Sequence, residues 1–178
     1  MAELTLTRED VHNIPEDKMP MMVFSDSVRS FFSWGIKARE KGYYNHFMVL
    51  HRKGFFASQD WIFHEVPVDE YLAGDHRLKF VYMPNVHKIK RIKMLLEIEK
   101  DLKRPWYKRM YDPVAILGQA IGLNFIQMPG CSICSDYGKY WKIPDPDYGF
   151  SHPSPPDINA YTKSKQDRYS VYGRFAPD

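Results

Sequence analysis

The chain is short of the features that would settle its class at once. It has two cysteines in 178 residues, both inside "CSICSD" at 131–136, which excludes the disulfide-stapled framework of small secreted domains. A structural zinc site takes four ligands, usually as two close pairs. The lone Cys-x-x-Cys has no matching histidine pair, because the seven histidines are scattered at 12, 46, 51, 64, 76, 87 and 152. The longest apolar stretch, "VAILGQAIGL" at 114–123, falls well short of the ~20 residues a membrane span requires. "MAELTLTREDVHNIPEDKMP" has five acids in its first 17 residues and no basic-then-apolar signal pattern. Cytoplasmic synthesis with reduced thiols is therefore expected. Internal repeats and low-complexity tracts are also missing.

What is present reads as one globular domain. Hydrophobic content of 44% and charged content of 26% are ordinary for a folded chain, and a chain of this length buries ~70% of its unfolded surface. Aromatics are abundant at 15%, enough to fill a core or line a cleft. The net charge of +3 is concentrated at 77–109. Lys88, Lys90, Arg91, Lys93, Lys103 and Arg104 there could in principle contact nucleic acid. The acids Glu97, Glu99 and Asp101 interleave with them, so the reading adopted is the solvated face of a helix and no nucleic-acid partner.

The pattern predicts an α+β domain: an antiparallel, small barrel-like sheet packed against helices. Residues 1–20 read as a polar arm, 21–160 as the domain and 161–178 as a tail. Strands are expected at 21–28, at 61–67 ahead of a helical turn, and at 78–84. "YYNHFMVLH", "RKG" and "FFASQ" (43–59) form a β-hairpin. Helices are expected at 29–41, 112–123 and 132–142, and at 86–104 with Asn85 as cap and Ile89, Ile92, Leu95, Leu96 and Leu102 as its buried stripe. The prolines beyond residue 143 argue for a loop-rich end.

The cysteine pair carries the chemical question. A redox dithiol would follow a strand in a βαβ unit, which this order lacks, and two buried inert thiols are the plain alternative. With Ser132 as N-cap, Cys134 falls at the second helical position. Unpaired amides and the helix dipole there would stabilise a thiolate and lower the thiol pKa. The same amides could hold an oxyanion. Cys131, outside the helix, gains less. A nucleophile of this kind needs a base, and His46 at the start of an apolar strand is the best-placed histidine.

These residues and their order resemble the circularly permuted papain-like group, which includes permuted NlpC/P60-type amidases and relatives of lecithin:retinol acyltransferase. The resemblance spans roughly residues 21–160. It rests on Ser33-Trp34-Gly35-Ile36, Asn45-His46, the Gly-containing hairpin and Pro67-Val68-Asp69-Glu70-Tyr71-Leu72. The late Cys134-Ser135-Asp136 and Pro153-Ser154-Pro155-Pro156-Asp157-Ile158 complete it.

The resemblance implies a cysteine hydrolase or acyltransferase with Cys134 as nucleophile and His46 as base, acting on an amide or ester without cofactor or metal. It also implies a polar residue on the second strand that orients the imidazole. Counting from His46 puts that role on Ser58, or on Gln59 with the hairpin offset by one, while Asp60 and His64 stand nearby. Peptidoglycan stem peptides or a lipid ester are the substrates such relatives suggest. A phage particle, with the terminal segments as attachment points in a protein assembly, is one setting that fits. The contrasting expectation is the same fold kept as an interaction module with its chemistry lost.

Overall fold

The computed structural model describes residues 4–27, 44–112, 114, 131–142 and 154–177. The expected helices at 29–41 and 112–123, with the Ser33–Ile36 motif, lie almost wholly outside these residues. Seven strands form one sheet: β1 (Thr5–Leu6), β2 (Met21–Ser27), β3 (His46–Arg52), β4 (Phe55–Gln59), β5 (Phe63–Pro67), β6 (His76–Tyr82) and β7 (Ser170–Phe175). The order across it is β1-β7-β6-β2-β3-β4-β5. All neighbours are antiparallel except the short parallel β1–β7 pair. The sheet is open, with β1 and β5 at its two ends, so the barrel-like closure expected from the sequence is corrected. Wholly within the described residues, four α-helices accompany it: α1 (Arg8–His12), α2 (Val68–Leu72), α3 (Lys88–Leu102) and α4 (Pro155–Ser164). A 3-10 helix spans Cys134–Trp141.

Side chains alternate across a strand, and the alternation here builds two cores. On one face, Met21, Val23, Met48, Leu50, Phe56 and Phe80 pack with Leu6, Val11 and Ile14 and with Val68, Tyr71 and Leu72 of α2. On the other, Met22, Phe24, Phe47, Val49 and Ala57 pack against Met94 and Ile98 of α3 and against Tyr137, Tyr140 and Trp141 of the 3-10 helix. Each fully buried aromatic or aliphatic side chain stabilises the fold by ~1.5–3 kcal/mol.

The hairpin forms where the pattern predicts, and its turn uses Gly54 at φ +77°, a conformation in which a Cβ would be strained. Both ends of the chain differ from expectation. The supposed arm is built into the domain: Thr7 caps α1 in a reciprocal box with Asp10, and Leu6, Val11 and Ile14 are buried. The supposed tail contains β7, which pairs with both β6 and β1. Its proline-rich approach becomes α4, because Ser154 caps that helix with Asp157 and Pro155 opens it, a position that tolerates proline.

Helix α3 is also turned around. Its cap is His87, whose Nδ1 accepts from the Ile89 N–H, and not Asn85. Met94 and Ile98 are its buried apolar residues and Leu102 of the expected stripe packs partly buried against the same core, while Ile89, Ile92 and Leu96 face outward. Asp101 at its end is buried and receives Tyr140 Oη at 2.7 Å, Lys139 Nζ at 3.0 Å and a guanidinium nitrogen of Arg104 at 2.7 Å. This carboxylate fastens the 3-10 helix, and with it Cys134, to α3.

Candidate active site

The hairpin delivers a histidine network. His46 opens β3, and its Nε2 lies 2.8 Å from Ser58 Oγ on β4, twelve residues on. Ser58 is buried. Its hydroxyl is 3.0 Å from Tyr71 Oη and donates to Asp60 Oδ1 at 3.4 Å. Tyr71 Oη also donates to that oxygen, at 3.3 Å. Asp60 Oδ1 is itself 3.6 Å from His46 Nε2, and a carboxylate so placed favours the tautomer that carries its proton on Nε2. That leaves Nδ1 with the lone pair a general base needs. Burial holds the His46 pKa below its ordinary value, with His76 acting in the same direction and Asp60 against both. The imidazole is neutral at neutral pH.

Of the two candidate orienting residues, the structure brings Ser58 to the ring. Gln59 projects elsewhere and donates through Nε2 to the Arg109 carbonyl at 3.0 Å. Asp60 supplies the carboxylate that neither candidate has. His64 stands on its far side, Nε2 to Asp60 Oδ2 at 3.8 Å.

Cys134 approaches from the other core. Ile133, not Ser132, caps the 3-10 helix, so Cys134 is its first residue. Asp136 Oδ2 accepts from the Ile133 N–H at 2.9 Å and closes the first turn. Ser132 is drawn instead into a bridge with Tyr111. Met48–Ser58 is the last paired rung of β3 and β4. One residue before it, the Phe47 amide lies against the Cys134 sulfur, together with the Tyr111 hydroxyl and the Ser135 N–H. The thiol therefore sits at the end of the strand pair, beside the peptide that joins His46 to Phe47. No direct thiol–imidazole hydrogen bond is present among the described residues.

The expected fall in the Cys134 pKa does not occur. Three donors favour the thiolate, but burial outweighs them, and Asp136 adds to it, pushing the thiol up to about 11. The dipole of this short 3-10 helix is small beside the cost of burying a charge. Cys131 is less buried, and neither cysteine is in a disulfide.

Tyr71 and Tyr111 are the site residues that sequence reasoning passed over. Tyr71 stood inside a quoted motif without a role. Tyr111 had no local signal, since it reaches the thiol only because its strand-like segment pairs with Trp61 and Ser132 (Tyr111 N to Trp61 O, 2.7 Å). No group of metal-binding character occurs among the described residues, and no described helix is long and apolar enough to cross a membrane. Compared with protein-family models, curated proteins and solved structures, the chain matches none.

Proposed function

We propose that the protein is a cysteine-dependent hydrolase or acyltransferase of permuted papain-like type, acting on an amide or ester carbonyl through an acyl-enzyme. The observation that carries this reading is the His46 Nε2–Ser58 Oγ contact of 2.8 Å, with the Cys134 thiol against the next peptide of the same strand. With Nε2 occupied, Nδ1 is the nitrogen left to take the thiol proton. Because both groups rest neutral, proton transfer accompanies attack rather than preceding it. The sulfur bonds to the carbonyl carbon, and the N–H groups at Cys134 and Ser135 receive the developing oxyanion, with Tyr111 Oη beside them. His46, now imidazolium and balanced by Asp60 through Ser58, protonates the leaving group. It then activates water, or an acceptor alcohol or amine, to release the acyl group. A peptide such as a peptidoglycan stem and a lipid ester are the two substrate classes carried forward, and a phage particle is one setting in which such an enzyme would act.

A second reading is the same fold kept as an interaction module with its site silent. It is favoured by the raised thiol pKa and the absent thiol–imidazole bond. Incubation with activated esters and p-nitroanilides, followed by intact-mass analysis, separates the two. An acyl adduct on wild-type protein that is absent from Cys134→Ala and from His46→Ala supports the enzyme. No adduct with any of them, despite slow alkylation by iodoacetamide, overturns it in favour of the module.

A further inference from the structure

Helix α3 presents two apolar faces, and only one of them is used. Met94 and Ile98 pack on the sheet, whereas Ile89, Ile92 and Leu96 are 59%, 46% and 58% exposed. At spacings of three and four these three fall in one line down the helix, opposite the buried pair. Lys88 borders this line on one side, and Lys93 and Lys100 border it on the other; all three are exposed and have no ion-pair partner among the described residues. Two exposed acids adjoin these rows: Glu99, paired with Lys103 at 3.7 Å, and Glu97, one turn from Lys93 and from Lys100, so the lysines outnumber the unpaired acid three to one. Just past the helix, Trp106 and Tyr107 are 60% and 53% exposed, and aromatic rings of this kind favour the boundary between lipid and water.

We infer that the outer face of α3 is a docking surface for an anionic phospholipid bilayer. The aliphatic line would enter the boundary of the acyl region while the lysine rows meet lipid phosphates, which is the design of an interfacial amphipathic helix. Charge complementarity selects this occupant over two others. A second copy of the chain, packed face to face, would bring the lysine rows toward each other and repel. Nucleic acid would satisfy the lysines but leave the aliphatic line without a partner, since phosphate contacts gain nothing from it. The inference does not depend on the thiol chemistry.

The test is vesicle flotation with the Cys134→Ala protein, so that lipid turnover cannot intervene and failure of the catalytic reading leaves the result standing. The vesicles are phosphatidylcholine alone and phosphatidylcholine mixed with phosphatidylserine. Binding is expected to the mixed vesicles, weakening as salt rises, with at least tenfold less on neutral ones. Ile92→Glu combined with Leu96→Glu should abolish it, and Lys88→Glu combined with Lys93→Glu should remove both the binding and its salt dependence. Both pairs are exposed, so circular dichroism should show the fold retained. The inference is overturned if mixed vesicles do not bind, if neutral vesicles bind equally, or if folded variants bind as the parent does.

Discussion

The two faces of the sheet are built from the same strands yet do different work. One carries His46, Ser58 and Tyr71 beside a core closed by the N-terminal segment and α2. The other carries Phe47 and Val49 beneath the 3-10 helix that begins at Cys134. His46 and Phe47 are successive residues and so project to opposite faces. His46 and the Cys134 thiol therefore flank β3 where its pairing with β4 stops after Met48–Ser58, while its pairing with β2 continues through Ser25–His46. The contrast teaches that the candidate site straddles one strand pair, with the groups around the imidazole and the thiol anchored in separate cores.

The strongest way to break this arrangement is to hollow out one core at a time. Phe56 and Phe47 are both essentially inaccessible, and Phe→Ala at either should cost ~3–5 kcal/mol, measured by urea unfolding. Their effects on the thiol should differ. Phe47 packs edge-on to Trp141 with ring centres 6.0 Å apart, so Phe47→Ala should loosen the 3-10 helix and speed Cys134 alkylation under native conditions. Phe56→Ala, whose ring meets Tyr71 and Phe80, should leave native alkylation near the parent rate. Equal acceleration in both variants would show that the cores are not separable.

How much of this was legible in the residues depends on how local the cause is. The hairpin was legible because alternation and a turn glycine act over a few residues, and with it came the pairing of His46 and Ser58. The apolar positions of α3 were legible, but not which side is buried. Ile89, Ile92 and Leu96 form as good a stripe as Met94, Ile98 and Leu102, and the choice between them falls to tertiary packing, of Met94 and Ile98 on the sheet and of Asp101 against Tyr140 and Lys139. Strand β7 was missed because "SVYGRF" is half exposed and gains its place from β6. Gly173 in it leaves room for Leu6, whose side chain would lie 2.7 Å from an added Cβ. The thiol pKa was misjudged because a helix start is visible in sequence and the depth of its burial is not.

A narrower test separates the neighbouring residues 58 and 59. Ser58 bonds His46, whereas Gln59 bonds the Arg109 carbonyl. Ser58→Ala should lower acyl-enzyme formation by about ten- to a hundredfold, ~1.4–2.8 kcal/mol of barrier, with little change in the substrate concentration at half-saturation. The fall is smaller than for a lost buried carboxylate because Asp60 still faces Nε2. Gln59→Ala should leave the rate nearly unchanged and cost ~1 kcal/mol of stability from the lost hydrogen bond, since the Arg109 carbonyl still accepts from the Phe63 N–H. Removing Asp60 together with Ser58 should slow the reaction further. Equal rate losses in the Ser58 and Gln59 variants would mean that both act through the hairpin's shape rather than through the imidazole.

The gentlest probe is pH, because the buried histidines and the buried thiol shape opposite limbs of the stability profile. Burial holds His46 and His76 below their ordinary value of 6.5. The unfolded chain therefore binds more protons than the folded one just below pH 6.5, and stability must fall as pH drops through that value. Cys134 is shifted the opposite way, from 9.0 to about 11. The unfolded thiol releases its proton first, so stability that is complete below pH 9 is lost as pH rises toward 11. The expected result is a plateau of Tm between about pH 6.5 and 9, with a shallow decline on either side. His76→Gln should make the acid limb shallower without touching the alkaline one, because His46 and His51, both also held below 6.5 by burial, still contribute. Cys134→Ala should delay the alkaline decline until the buried tyrosines begin to matter, since their unfolded value of 10.0 lies above that of the thiol. A Cys134→Ala profile that overlays the parent between pH 9 and 10 would show that the thiol is less buried than its place under the sheet implies, and would put the sulfur back within reach of solvent.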